Sequence, residues 1–182
     1  MLKLVTSNDA KFDEFKRIGL PVSERICLDL REVKGTSREV AIYKAIEAGE
    51  GFLVEDTILS VNGKEIVDIR YHLSELKSVE DAKAEWKVTL AMVKGDIICL
   101  AEGVVTGSIG SDSAMGIPTF GFDSYFYPDE QKGYSFSLYE LNKMGCKDKF
   151  SARERSVRAF LANDVIHIPL RDVPKWDGEY QG

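Results

Sequence analysis

The chain has 182 residues, of which 44% are apolar and 30% charged, and a formal net charge of −6. That is the balance of one soluble globular domain, and it argues against sequence-independent nucleic-acid binding through a broad basic face. No stretch approaches the roughly 20 consecutive apolar residues of a membrane span, so no membrane partner is expected.

Cys27, Cys99 and Cys146 form no CxxC pair and no disulfide framework, and His72 and His167 are too few for a His-rich zinc site. The opening residues lack the apolar run of a signal peptide. A reducing, cytoplasmic setting is the resulting expectation.

Leu2–Thr6 reads as a buried strand, followed by a helix over Phe12–Arg17 and a second strand at Arg25–Leu30. Ser37–Ala48 carries Val40, Ala41, Ile42, Ala45 and Ile46 at helical spacing, with Gly49 and Gly51 to end it. Ser37 and Glu39 suit the start of that helix without meeting capping-box spacing. Phe52–Glu55 and Ile58–Asn62 read as two strands, Asp68–Leu76 and Val79–Ala84 as helical. Trp86–Val93 and Asp96–Thr106, rich in β-formers around Lys94–Gly95, predict a hairpin. Ser108–Thr119 is a Gly/Ser-rich loop, Ser135–Lys143 and Ser151–Leu161 are helical, and Val165–Ile168 is strand-like. With no repeat and no linker, the order predicts a single α/β domain over residues 1–182: a mixed, twisted central sheet with flanking helices.

Four stretches carry residue types that could do chemistry. Thr6, Ser7, Asn8 and Lys11 lie where a strand turns into a helix, a place where free N–H groups and the helix dipole attract an anion. A plain capping role for Ser7 or Asn8, with Lys11 in solvent, serves as well. Glu32 and the adjacent Glu55 and Asp56 form an acidic set. Neighbouring carboxylates raise each other's pKa when partly buried, a penalty that a divalent cation removes. A polar strand end in a turn explains them equally.

The third stretch, residues 119–128, crowds Phe120, Phe122, Tyr125, Phe126 and Tyr127 around Gly121 and Asp123. Aromatics there can fill a core, or stack on a heterocycle whose edge Asp123 reads. The fourth, residues 146–160, starts a helix with Lys147, Lys149 and Arg153, either solvated surface or a hold for an anionic or carbonyl group.

In this order the four stretches resemble the inosine triphosphate pyrophosphatase family. Its T-[GS]-N-x-x-K-x-x-E opening corresponds to Thr6–Ser7–Asn8, Lys11 and Glu14, and its acid–lysine pair to Glu32 and Lys44. Val54–Glu55–Asp56–Thr57 matches its acidic strand end, and Thr106–Gly107–Ser108–Ile109 approximates a further strand motif. Phe120–Gly121–Phe122–Asp123–Ser124–Tyr125–Phe126 matches its aromatic segment, and Lys147 with Ser151–Ala152–Arg153 approximates its basic one.

The resemblance implies a two-lobed fold around a cleft, a homodimer, and hydrolysis of non-standard purine nucleoside triphosphates to monophosphate and pyrophosphate. It further implies that Thr6, Ser7, Asn8, Lys11 and Lys44 hold the triphosphate. Glu32, Glu55 and Asp56 would bind Mg²⁺ (or Mn²⁺), with Asp56, Glu55 and Lys11 catalytic. Phe120 and Phe122 would sandwich the base, and Asp123, Lys147 and Arg153 would contact its edge. The chain departs from the family where Ala152 replaces a base-reading histidine and Ser124 a proline. Those departures leave open a different modified or pyrimidine base, or a nucleotide-binding regulatory relative with little catalysis.

Overall fold

The computed structural model describes residues 1–66 and 69–182. In chain order its elements are β1 (Leu2–Val5), α1 (Asp9–Arg17), β2 (Val22–Ile26), α2 (Ser37–Ala48), β3 (Phe52–Val61) and β4 (Lys64–Ile66). They continue with β5 (Lys83–Lys94), β6 (Ile97–Ile109), β7 (Phe126–Pro128), α3 (Leu138–Lys143), α4 (Ala152–Leu161) and β8 (Ile166–Pro169). Among the described residues the strands form one open, mixed sheet of eight, in the order β2-β1-β3-β5-β6-β7, with β4 paired to β3 and β8 to β6. β1 runs parallel to both β2 and β3, whereas β4 is antiparallel to β3, and β7 and β8 are antiparallel to β6. This is the mixed α/β sheet that the sequence predicts. Among the described residues no helix is long and apolar enough to cross a membrane.

Several boundaries differ for local reasons. Phe52–Glu55 and Ile58–Asn62 merge into one continuous strand, Phe52–Val61, which is buried on both faces on either side of the polar Glu55–Thr57 step, at Leu53 and Leu59 on one and Val54 and Ile58 on the other. The second strand is Val22–Ile26 rather than 25–30. The helix read over Asp68–Leu76 begins outside the described residues; its described part forms 3-10 turns at Ile69–Tyr71 and Leu73–Val79. Val79–Ala84 is not helical, since β5 already starts at Lys83. Thr36, not Ser37, caps α2: its hydroxyl accepts from the Glu39 N–H, and the Glu39 carboxylate accepts from the Thr36 N–H. A second capping box, Ser137 with Glu140, starts α3 three residues later than predicted. Two short strands, β4 and β7, have no sequence signal of their own beyond their neighbours.

The chain divides into two units. The first comprises Met1–Thr57, Val88–Gly103 and Arg153–Gly182. Its core is the apolar face of α2 (Ala41, Ile42, Ala45, Ala48) packed on Val5, Val54, Ala91, Val93, Ile98 and Leu100. Small alanines on the helix let it lie close to the sheet, as ridge-and-groove packing requires. The second unit comprises Ile58–Lys87 and Val104–Ala152. Its centre is an aromatic group in which Trp86 meets Phe122 and Phe126 edge-on, at 5.8 and 6.3 Å between ring centres. Gly107 sits on β6 where a Cβ would come within 2.4 Å of the Tyr127 carbonyl oxygen, so only glycine admits β7 alongside.

Candidate active site

In the first unit, residues far apart in sequence converge where β3 leaves its parallel neighbour. Thr6 is buried at the end of β1, and its hydroxyl accepts from the Asn8 N–H at 3.1 Å. Asn8 is the cap of α1, its side-chain oxygen accepting from the Lys11 N–H at 3.1 Å. The capping reading of Asn8 therefore holds. Solvation of Lys11 does not: its ammonium pairs with the Glu55 carboxylate, and only a quarter of its side chain is exposed. Ser7, at the turn, is exposed.

Lys44 projects from α2 with 13% of its side chain exposed, donating to a Glu32 oxygen at 3.0 Å and to the Glu55 carbonyl at 2.8 Å. One ammonium thus ties the Glu32 loop to the backbone of β3. Burial works against the charged Lys44, but the carboxylates of Glu32, Glu55 and Asp56 outweigh it and raise its pKa. Glu55 is buried, which alone would favour the neutral acid; the charges of Lys11, Arg153 and Lys44 hold it instead at about 2.

Asp56, the next residue, points to the other side of the strand and is half-buried. Burial pushes its pKa up to about 7; Lys44 opposes that, while the charges of Glu55 and Glu32 add to it. Two adjacent carboxylates are thereby driven apart, one firmly ionised and one titrating near neutrality, a pattern that separates acid–base roles in active sites.

Two further residues belong to this group, although the sequence gives them no role beyond their place in a motif. Thr57 donates to Glu55 at 2.9 Å, and its oxygen lies 3.5 Å from an Arg153 nitrogen. Glu14 accepts from Arg153 at 2.5 Å, and the guanidinium lies over the Phe15 ring. The strand period of two, which puts Glu55 and Thr57 on one face, and the helical spacing of Lys11 and Glu14 are the signals that could have found them. Arg153 is 2% exposed and engaged by Glu14 and Thr57 within the first unit.

The base-edge candidates Asp123 and Lys147 lie in the second unit, buried and paired at 2.6 Å, with the Lys147 ammonium 5.1 Å from the centre of the half-buried Phe120 ring. Phe122 is 5% exposed and packed on Trp86 and Phe126 in the aromatic core, so it offers little free face. Ala152 is fully buried at the start of α4.

The oxygen-only donors Glu32, Glu55 and Asp56 suit a hard divalent cation. Among the described residues no three His, Cys, Asp or Glu side chains stand together as a ready cage. Lysines already neutralise Glu32 and Glu55, leaving Asp56 as the carboxylate whose charge is least compensated.

Residues 62–163 match the Ham1 family. An inosine triphosphate pyrophosphatase of Scheffersomyces stipitis is 32% identical over an alignment that covers 71% of this chain and 73% of that protein. Another, of Yarrowia lipolytica, is 31% identical over an alignment that covers 87% of this chain and 94% of that protein. The longer match takes in most of the chain, whereas the family match starts after the Glu55–Asp56 step.

Proposed function

This chain belongs to the Ham1 family, and on that premise we propose that it is a Mg²⁺-dependent nucleoside triphosphate pyrophosphatase. Its substrates in this reading are non-standard purine nucleotides such as ITP, XTP and dITP, and its products a nucleoside monophosphate and pyrophosphate. The role is removal of damaged nucleotides from the pool. The observation that carries the reading is the meeting of Lys11, Lys44, Glu32 and Glu55 beside Asp56, from four separate segments of the chain.

Ser7, Asn8 and the first-turn N–H groups of α1 receive phosphate oxygens, and the side chain of Thr6 holds that turn in shape. Lys11 and Lys44 supply positive charge against the charge that builds on the phosphates. Each now neutralises a carboxylate, so phosphate and metal together replace these ion pairs without leaving a buried charge alone. Asp56, with Glu55 and Glu32, would hold the metal, whose chemistry there would be to polarise a phosphate and to lower the pKa of water. In this reading Asp56 also orients the attacking water and accepts its proton.

In the second unit, Phe120 offers a ring face to the base and the Asp123–Lys147 pair offers an acceptor and a donor to its edge. In the same reading Arg153, whose guanidinium is bonded to Glu14, contacts the base edge as well. Ala152 takes away one hydrogen-bonding group, which lowers discrimination among bases. The same reading makes the protein a cytoplasmic homodimer, checked by light scattering of the purified chain.

A panel of ITP, XTP, dITP, the standard nucleotides, UTP, dUTP and dTTP, with and without Mg²⁺, tests the proposal. Pyrophosphate release should be fastest from the inosine and xanthosine nucleotides. Release from none of them would overturn it, and tight binding without turnover would mark a regulatory relative.

A further inference from the structure

The segment Pro174–Gly182 has no part in the reading above, yet it runs beside the loop that carries Glu32. Gln181 donates its backbone N–H to the Glu32 carbonyl at 2.7 Å, and Lys34 donates to the Glu179 carbonyl at 2.9 Å. Between them Val33 and Tyr180 form an antiparallel bridge, and the Gln181 side chain donates to the Val33 carbonyl at 3.0 Å. Residues 32–34 lie outside the eight strands, and these bonds give their backbone the partners that a neighbouring strand would otherwise provide.

Two anchors fix the segment. Tyr43 on α2 donates its hydroxyl to the Pro174 carbonyl at 2.6 Å and meets the Trp176 ring edge-on at 5.2 Å. Trp176 then donates to the Glu179 carbonyl at 3.0 Å, closing a turn over Gly178, where a Cβ would stand 2.7 Å from the indole. Glycine is the residue that fits beneath that ring. Tyr43 immediately precedes Lys44, so one turn of α2 both hooks the segment and carries the ammonium that pairs with Glu32.

We propose that residues 174–182 are a positioning strap that sets the Glu32 carboxylate against Lys44. This rests on the reading of Glu32 and Lys44 as part of the phosphate and metal site. The strap acts through the backbone of residues 32–34 and touches no reacting atom. Lys44 keeps a second anchor, the Glu55 carbonyl, when Glu32 is loosened. Loosening the strap therefore costs turnover more than nucleotide affinity.

The test compares the full chain with Trp176→Ala, Trp176→Phe and a chain stopped after Val173. Amide exchange at Lys34 should quicken about tenfold or more in Trp176→Ala and in the shortened chain, since that N–H loses its Glu179 partner. With ITP and saturating Mg²⁺, kcat in Trp176→Ala should fall about tenfold while KM moves less than about threefold, and Trp176→Phe, which keeps a ring against Tyr43 but not the indole donor, should recover part of the loss in kcat and in Lys34 protection. If the shortened chain does not fold, Trp176→Ala decides alone.

Unchanged Lys34 exchange in Trp176→Ala overturns the strap. Faster exchange with kcat and KM unaltered does so too. A full-length chain that hydrolyses nothing would overturn the pyrophosphatase reading instead, and Lys34 exchange would then decide the strap by itself.

Discussion

Replacing Asp56 by Asn probes the acidic centre by a route that does not depend on activity. The folded protein holds Asp56 at about 7, against 3.8 for an ordinary aspartate. Between those values the native state keeps a proton that the unfolded chain has released, so stability falls as pH rises from about 4 to about 7. Below that window the group costs nothing; above it the full penalty of a buried, ill-compensated carboxylate is present. A shift of about three units at 1.36 kcal/mol each sets a ceiling of about 4 kcal/mol, and partial exposure of Asp56 to water reduces this to about 2 kcal/mol.

Asn has nearly the same shape and no charge to lose. Asp56→Asn should therefore match the parent near pH 3, below the ordinary aspartate value, and exceed it by about 2 kcal/mol at pH 8, or about 4–8 °C in Tm for a chain of this size. Glu55 does not confuse the comparison. Its lowered pKa contributes stability that is present above its ordinary 4.5 and lost only as pH falls through about 2. The assay is thermal melting in chelator from about pH 3 to about pH 8.5. Parallel curves for parent and variant, or a variant that is the weaker at pH 8, would refute the electrostatic account of this site. The same substitution should abolish pyrophosphate release while leaving much of the nucleotide affinity.

Lys11→Ala should weaken triphosphate binding about tenfold by calorimetry and also destabilise the fold, because the buried Glu55 loses its nearest counter-charge; unchanged affinity would return Lys11 to a structural role. Glu14→Ala, which removes a carboxylate partner of the 2% exposed Arg153 guanidinium, should cost about 3 kcal/mol in urea unfolding, and Glu14→Leu with Arg153→Met should recover much of it. Chelation of divalent metal should stop turnover, with recovery on adding Mg²⁺ or Mn²⁺; turnover that persists in chelator would remove the metal from the proposal.

Local pattern made much of this protein legible. Periodicity located α2, the β5–β6 hairpin and the strand entering Glu55–Asp56, because burial of one face imposes its period on the residues themselves. The weakest region was residues 69–84, where short 3-10 turns leave no sustained period to read. Candidate phosphate and metal residues were legible as types in order, since a strand end, a capped helix start and paired acids each leave a local trace.

Partners were another matter. Lys11 meets Glu55 across 44 positions of sequence and Glu14 meets Arg153 across 139, separations at which neither helix nor strand period carries information. Nor could the aromatic cluster declare from composition that Phe122 fills a core while Phe120 stays half-exposed, because that depends on where Trp86 and Phe126 are delivered by other strands. The sequence alone determined which side chains could carry charge, cap a helix or line a sheet. Tertiary structure decided which charges face one another, and with them the separated pKa values of Glu55 and Asp56. Electrostatic coupling falls off over a few ångströms of space, whatever the distance along the chain.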